Sequence, residues 1–150
     1  MKTIDMYENV ITALCVWREA RGESYIAKFL VASVIFNRSV DTSHRWPMIP
    51  SSVVLQPKQF SSFNVDDPNS SKMPAFYDEN FKECCRAVDV VFPSEGDVDT
   101  HSEALAYLTH TENSIAAKAN HYHDISIDTP EWAKGMEYLG QVGHFKFYRG

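Results

Sequence analysis

The segment Arg18-Glu19-Ala20-Arg21-Gly22-Glu23 brings two carboxylates and two guanidinium groups together at the end of a predicted helix. Glu19 lies in the last turn, where the negative end of the helix dipole disfavours an anion. If the aromatic-rich loops also remove water from it, both effects raise the pKa of its carboxyl. A carboxyl that stays protonated near neutral pH can act as a general acid. Charged residues at helix ends are equally common on solvated surfaces, so the spacing alone leaves both interpretations open.

Three histidines form a second candidate site. His121 and His123 are two residues apart, so on a strand they share one face, and His144 could join them. Three imidazoles with an open position for water would make the zinc site of an amidase or peptidase. Against this, histidine pairs often bond structural groups, and no His-Glu-x-x-His pattern is present. The other three histidines lie in polar surroundings and are predicted to be surface residues: His44, His101 and His110.

Several residues are suited to contact a sugar. Gln59, Phe60 and Ser61 supply in sequence an amide, an aromatic ring and a hydroxyl, which could line a saccharide cleft. The same three residues also fit an ordinary turn after a proline, with one buried ring. Tyr122 and Trp132 have the same two interpretations, because aromatic side chains are more often core than ligand platforms.

A helical hairpin is predicted to position the charged segment. Apolar residues recur at spacings of three and four from Asp5 to Arg21, with Asp5 as candidate N-cap. Gly22 predicts the end of this helix. Ser24 then predicts the cap of a second helix, which ends before Asp41.

Beyond the hairpin, the sequence predicts a loop region, then a helix and then short strands. Prolines and polar residues predict an ordered loop region over 40–74, with one turn at Ser52–Leu55. A third helix is predicted over Asp78–Phe92, before a proline. Short strands are predicted over four segments: Ala104–Leu108, Asn120–Ile127, Leu139–Val142 and Phe145–Tyr148. The pattern indicates one α+β domain over residues 1–150, with an N-terminal helical lobe packed on a small antiparallel β-sheet.

Composition excludes several classes of protein. The 150 residues are 44% hydrophobic, which is enough for a core, and the formal net charge of -6 disfavours a nucleic-acid binder. No run approaches the roughly 20 apolar residues that span a bilayer, and the first residues show no signal-peptide core. The cysteines are odd in number and lack the spacing of a disulfide scaffold. We expect them to be reduced and mostly buried: Cys15, Cys84 and Cys85.

Taken in order, the motifs of this chain resemble those of the SleB/CwlJ-type cell wall hydrolases, the spore-cortex-lytic enzymes and their bacterial and phage relatives. The resemblance runs from about Val10 to Arg149, and Arg18 and Lys118 stand where relatives commonly have glycine. Residues 62–103 give no match. The matching blocks are EARGE at 19–23, IFNR at 35–38, QPKQFS at 56–61, ANHYH at 119–123, PEWAK at 130–134 and GHFKFYR at 143–149.

The resemblance implies a peptidoglycan glycosidase with Glu19 as its catalytic acid and a lysozyme- or transglycosylase-like cleft. A muramidase also needs a second carboxylate, for which Glu23 is the obvious candidate, unless Glu23 pairs with Arg21 or caps the second helix. A lytic transglycosylase does not need one, because the 6-hydroxyl of the sugar attacks and Glu19 then serves as base. No cofactor or metal is expected. The expected substrate-binding residues are Arg21, Gln59, Phe60, Ser61, His121, Tyr122 and Trp132.

The expected partner is the glycan strand of peptidoglycan, bound by a monomer without nucleic acid or membrane insertion. Without a visible signal peptide, we expect the protein to be made in the cytoplasm and to act on the wall after release. A phage endolysin fits this description, and a spore-associated enzyme is the other possibility. Two alternatives remain open from the residues, namely the zinc-dependent amidase or peptidase and a module that binds glycan without cleaving it.

Overall fold

A computed structural model describes residues 3–56, 59–75, 77–92 and 106–150, without the side chains of residues 3–5 and 61. Helix α1 (Thr3–Ala20) and helix α2 (Tyr25–Ser39) form the predicted hairpin. As predicted, Ser24 caps α2, and its hydroxyl accepts a hydrogen bond from the backbone N–H of Ala27. The prediction of Asp5 as the cap of α1 is wrong, because the helix already includes that residue.

The helical lobe contains three further α-helices whose bounds lie within the described residues. Helix α3 (Pro50–Leu55) begins with a proline at its first turn, where no N–H partner is needed. Helix α4 (Glu79–Val91) confirms the third predicted helix, and the Asp78 carboxylate caps it. Helix α5 (His110–Lys118) was not predicted, although Thr109 and Glu112 form a complete capping box at its start.

The sheet has three antiparallel strands, β1 (His121–Asp124), β2 (Glu137–Val142) and β3 (Phe145–Arg149), in the order β1-β3-β2. The last three predicted strands are therefore confirmed, the first of them shorter than predicted. The strand over Ala104–Leu108 is wrong where it can be checked, since residues 106–108 form the end of a helical turn and a bend. Its first two residues lie outside the described ranges.

Helix α2 lies at the centre of the packing and contacts every other helix as well as β1. Its apolar residues are almost completely buried, and the sheet adds Phe145 and Phe147 to the same core. Helix α5 covers β2 so closely that a Cβ on Gly140 would collide with Thr111. Gly140 also has a φ of 148°, which L side chains rarely adopt, so both its backbone and its surroundings require glycine there.

The cysteines are free, with Cys15 and Cys84 buried and Cys85 half-buried, as predicted. Burial raises the pKa of each thiol, which makes all three poor nucleophiles. Of the helices in the described ranges, none combines the length and the apolar character that crossing a membrane requires.

Candidate active site

Glu19 lies in the last turn of α1, and the pKa of its carboxyl is well above the ordinary value. Burial is the largest cause and the negative charge of Asp67 is the second; together they raise the pKa of Glu19 from 4.5 to about 7. Hydrogen bonding by Tyr122, the charge of Arg38 and the nearby Ser62 hydroxyl favour the ionised form and limit this rise. The predicted direction of the pKa shift is thus confirmed. A carboxyl of this kind can release a proton and take it back near neutral pH.

Tyr122 brings the sheet to Glu19. It stands in β1 opposite Phe147 of β3, and its ring packs edge-on against Phe145 at 5.2 Å between centroids. Its hydroxyl donates a hydrogen bond to the Glu19 carboxyl, and burial together with the charge of Glu19 raises the pKa of this phenol. Tyr122 therefore stays neutral and remains a donor to Glu19 in either protonation state of the carboxyl.

Arg18 holds the loop that follows α3 against the end of α1. Its Nε donates to the backbone oxygen of Lys72 at 3.1 Å and its Nη1 to that of Ser62 at 3.4 Å. The guanidinium also lies over the Phe63 ring, 4.6 Å from the centroid. This residue, which stands where relatives of the resembled family commonly have glycine, therefore fixes a loop that contributes to the site.

The loop places Ser62, which follows the predicted Ser61, close to Glu19. Ser62 is 1% exposed, and its hydroxyl lies near enough to lower the pKa of the Glu19 carboxyl. The geometry falls short of an ordinary hydrogen bond, so this buried hydroxyl has no partner. A hydroxyl in that position can rotate to bond either Glu19 or a substrate. The side chain of Ser61 lies outside the described residues.

Two successive hydrogen bonds connect Asp67, in the same loop, to the end of α1. Arg21 donates from Nη2 to Oδ1 of Asn69 at 3.2 Å, and the backbone N–H of Asn69 donates to Oδ1 of Asp67 at 2.7 Å. Arg21 also lies over the Trp17 ring, 4.7 Å from the centroid. Arg21, predicted to bind substrate, thus orients the second carboxylate near Glu19.

Arg38 connects α2 with both β1 and the loop after α3. Its Nε donates to the backbone oxygen of Asn120 at 2.7 Å, and its Nη1 reaches Oε1 of Gln59 at 3.5 Å. Its guanidinium stacks over Phe60, which is 2% exposed and belongs to the core. Gln59, from the predicted Gln59-Phe60-Ser61 group, is exposed at the surface. Phe60 is buried and packs against the Arg38 guanidinium.

The structure places Glu23 away from the partners of Glu19. Its Oε1 lies 2.6 Å from Nδ1 of His144 in the turn between β2 and β3. In that turn, Gly143 has a φ of 58°, and a Cβ there would collide with the Glu23 carboxylate. Glu23 thus joins the loop between α1 and α2 to the sheet, and its catalytic role stays a prediction.

The three histidines of the proposed zinc site have three different partners. His144 bonds Glu23, whereas Nδ1 of His121 bonds Oδ1 of Asn120 at 2.8 Å. His123 is buried and lies between the backbone oxygen of Asp124 and the Tyr148 hydroxyl, 2.9 Å from each. Across the described part of the chain, no group of three or more His, Cys, Asp or Glu residues could hold a metal ion. The described histidines therefore do not support the zinc hypothesis.

Trp132 is predicted to bind substrate and lies on the surface beside β1. It is 42% exposed, and its ring centroid lies 5.4 Å from that of His121. Trp46, which the sequence analysis did not single out, lies on the other side of His121 at 5.8 Å. His121 and Trp132 therefore lie together, whereas Tyr122, the next residue of β1, points to the other face of the strand, toward Phe145, Phe147 and Glu19.

Four residues of the site were missed from the sequence. Arg38 could have been found, because it ends the IFNR block of the resembled family. Ser62 lies one residue beyond another such block. Asp67 and Trp46 lie in loops without a sequence signal of their own, so only the folded chain shows where they are.

A carboxyl with a raised pKa, a phenol and a guanidinium meet at the junction of the helical lobe and the small sheet, which makes this junction the candidate site for acid–base chemistry. The chain belongs to the cell wall hydrolase family, whose model matches residues 22–148. The match begins just after Glu19, so the role of that residue rests on the geometry described above and on the resemblance of the motifs.

Two solved structures share this fold. One is the catalytic domain of the Bacillus cereus SleB protein, with a TM-score of 0.62 and 23% identity over 95% of this chain and 89% of that chain. The other is the catalytic domain of the germination-specific lytic transglycosylase SleB from Bacillus anthracis. Its TM-score is also 0.62, and the two sequences are 23% identical over 95% of this chain and 93% of that chain. No curated protein matches significantly. The likeness confirms the predicted α+β fold.

Proposed function

We propose that this cell wall hydrolase cleaves the glycan strand of peptidoglycan, with Glu19 as general acid. The observation that carries the proposal is the Glu19 carboxyl, whose pKa burial and Asp67 raise to about 7. Cleavage of a glycosidic bond requires a proton on the leaving oxygen while positive charge develops on the sugar carbon. Glu19 is the described carboxyl best suited to deliver that proton at neutral pH.

The neighbours of Glu19 fit both halves of such a reaction. Once Glu19 has given its proton to the leaving oxygen, the Tyr122 hydroxyl and the charge of Arg38 stabilise the carboxylate. The burial and the Asp67 charge that raise its pKa then favour the return of a proton. Glu19 can thus act first as acid and afterwards as base toward the attacking hydroxyl.

Transglycosylation is the reaction that this arrangement supports best. The 6-hydroxyl of the muramic acid attacks its own anomeric carbon, loses its proton to Glu19 and leaves a 1,6-anhydro ring. Glu23, the predicted second carboxylate, bonds His144 in the turn between β2 and β3. The structural relative from Bacillus anthracis is named a lytic transglycosylase. These observations support a mechanism with a single glutamate.

Hydrolysis is the second candidate, and the position of Asp67 favours it. Asp67 is close enough to Glu19 for its charge to raise the pKa of that carboxyl. A carboxylate in such a place can orient a water molecule toward the sugar and take its proton, as the general base of an inverting glycosidase does. Both candidates use Glu19 as acid and differ only in the group that attacks.

Mass spectrometry of the fragments released from purified peptidoglycan tests the proposal, with the wild type and Glu19→Gln compared in the presence and absence of a chelator. We expect anhydromuramic ends that disappear in the variant. Reducing sugar ends would identify a hydrolase and direct attention to Asp67. Free peptides whose release the chelator abolishes would overturn the proposal and restore the zinc hypothesis. Binding to the wall without any release would indicate a glycan-binding module.

The single domain over residues 1–150, the monomeric state, and action on the wall after release from the cell that makes the protein all stay predictions. An endolysin is the role that we propose for such a chain. Export of the wild-type protein by itself from the producing cell would contradict it.

A further inference from the structure

Arg18 holds both ends of one loop against the last turn of α1. Its Nε donates to the backbone oxygen of Lys72 at 3.1 Å, and its Nη1 donates to that of Ser62 at 3.4 Å. Its Nη2 also donates to Sδ of Met73 at 3.5 Å. One guanidinium therefore joins the start and the end of residues 62–73, which we call the Arg18 loop. A loop of this length with adjacent ends is an Ω-loop, a class that frequently serves function.

The Arg18 loop has almost no apolar anchor of its own. Residues 64–72 contain two apolar side chains, Val65 and Pro68, and both are exposed. Arg21, one turn further along α1, provides a second polar anchor, because its Nη2 donates to Oδ1 of Asn69 at 3.2 Å. The position of the loop therefore depends on two arginines of α1 and not on burial in the core.

The Arg18 loop carries Asp67 to the active site. The Oδ1 of Asp67 accepts a hydrogen bond from the backbone N–H of Asn69 at 2.7 Å, and its own backbone N–H donates to the oxygen of Asn64 at 3.0 Å. Burial lowers the pKa of Arg18 and the charge of Asp67 opposes this, so Asp67 lies near Arg18 as well as near Glu19. A loop that moved away would take this charge with it.

Four ionisable side chains of the described residues interact with Glu19. Three of them stand on regular elements, namely Tyr122 on β1, Arg38 on α2 and Cys15 one turn earlier on α1. Asp67 stands on the Arg18 loop, and after burial its charge is the largest cause of the raised pKa of Glu19. It is therefore the member of this group whose effect depends on how a loop is held.

We propose that Arg18 is a positioning residue of the reaction, which closes the Arg18 loop, holds Asp67 beside Glu19 and so extends the action of that acid to higher pH. The inference rests on the proposed function, because it concerns Glu19 as the acid. The planar fork of a guanidinium donates in several fixed directions, whereas a lysine ammonium is a point charge. A glycine, which relatives of the resembled family commonly have at this position, makes none of these contacts.

NMR titration of the Glu19 carboxyl tests the inference without any substrate. The wild type should titrate near pH 7. Arg18→Met keeps a long helix-forming side chain but loses every donor, and it should lower the midpoint to about pH 6, because Asp67 withdraws and water reaches the carboxyl. Arg18→Lys keeps the charge without the fork and should recover part of this change. Complete recovery by lysine would show that charge acts instead of loop closure, which would overturn the inference.

Asp67→Asn, introduced into two backgrounds, identifies the route by which Arg18 acts. In the wild type this change should lower the midpoint of Glu19. In the Arg18→Met protein it should have little further effect, because Asp67 has already left. An equal effect in both backgrounds would show that Asp67 stays beside Glu19 without Arg18, and the inference would be wrong. The same comparison in the Arg18→Lys background serves if Arg18→Met does not fold.

Lys28→Met is the matched control for a general loss of stability. Lys28 is another buried cation, 1% exposed, and its Nζ donates to Oδ1 of Asn80 and Oε1 of Glu83 at 3.1 Å each. Both partners lie in α4 and not in the Arg18 loop. This variant should unfold at a lower temperature and leave the titration of Glu19 unchanged. The same change of midpoint in Lys28→Met as in Arg18→Met would contradict a positioning role for Arg18.

Activity separates this inference from the proposed function. In Arg18→Met, the fall of kcat/KM at high pH should move to lower pH together with the titration of Glu19. If the titration moves as expected and the activity does not follow it, the proposed function fails while the inference about the loop stands. If the titration stays near that of the wild type and activity still requires Glu19, the inference fails and the proposed function stands.

Discussion

Glu19 and Glu23 belong to one five-residue motif, yet the fold gives them opposite surroundings. Glu19 ends a helix, is covered by β1 and the loop after α3, and is bonded by a phenol. Glu23 follows the turn at Gly22 and bonds His144, whose side chain is 68% exposed. The comparison teaches that the chemistry of a carboxylate is decided by the segment that packs against it. Four residues along the chain are enough to move a carboxylate from the phenol of β1 to the imidazole of the turn between β2 and β3.

The sharpest test of this contrast replaces each glutamate in turn. Glu19→Gln should lower the release of glycan fragments by about 10²–10⁴-fold, since it removes the general acid while preserving the shape of the side chain. Glu23→Gln should keep activity within about tenfold, because it removes a link to the sheet and no reacting group. Fragment release by equal amounts of folded protein is the measurement. An equal loss in both variants would make Glu23 the catalytic partner that the motif suggested.

The structural side of the contrast depends on Gly143. Gly143→Ala should lower the free energy of unfolding by about 1–3 kcal/mol, because a side chain at positive φ is strained and the Glu23 carboxylate must move away from the new Cβ. Gly135→Ala is the control, since a Cβ there meets open space. Urea denaturation measures both. A Gly143→Ala protein as stable as the control would show that the turn accepts a side chain at this position without strain, which contradicts the prediction.

Burial of Glu19 should lower the free energy of unfolding of the wild type at high pH. The pKa of Glu19 is higher in the folded protein than its ordinary value of 4.5, so the stability tied to its proton is complete below about pH 4.5 and is lost as the pH rises through 7. Glu19→Gln escapes this loss and should be more stable than the wild type at pH 8, by about 1–3 kcal/mol. Urea denaturation at pH 8 and pH 4 provides the measurement.

Near pH 4 the difference between Glu19→Gln and the wild type should almost vanish. Glu131→Gln, on an exposed carboxylate, should show no comparable dependence on pH. A Glu19→Gln variant that is less stable than the wild type at pH 8 would contradict the buried environment of Glu19.

The smallest expected effect distinguishes the two neighbours that act on Glu19. Activity requires the protonated acid and should fall as the pH rises through about 7. Asp67→Asn removes a negative charge and should move this fall to lower pH, whereas Tyr122→Phe removes a donor to the carboxylate and should move it to higher pH. The pH profile of kcat/KM for both variants is the measurement. Shifts in the same direction would show that one of the two does not act on Glu19.

Local sequence was sufficient for the elements with strong periodicity. The hairpin of α1 and α2 follows from apolar residues at helical spacing and from Ser24 as a cap. Helix α5 has one buried residue, Ile115, so its pattern carries little periodicity. The alternation around residues 104–108 was interpreted as a strand, but Tyr107 is 89% exposed and lies in a turn. A pattern predicts a strand only where a partner strand buries one of its faces.

The site could be predicted only where one segment makes it. Glu19 and Tyr122 each lie within one short motif of the resembled family, EARGE and ANHYH, so the resemblance singles them out although the spacing alone leaves their roles open. Ser62 and Asp67 depend on Arg18 and Arg21, which fix a loop more than 40 residues further along the chain. No spacing rule describes such a contact, because its geometry is set by the packing of the whole lobe.

The strand order has a consequence for when the enzyme becomes active. Within the described sheet, β3 is the central strand and β1 pairs only with it. During translation, β1 is synthesised some twenty residues before β3, a delay of about one to a few seconds at ordinary elongation rates. Tyr122 cannot settle against Glu19 until residues 145–149 have been made. The contact between Glu19 and Tyr122, which joins the first helix to the sheet, is therefore completed only by the last strand of the fold.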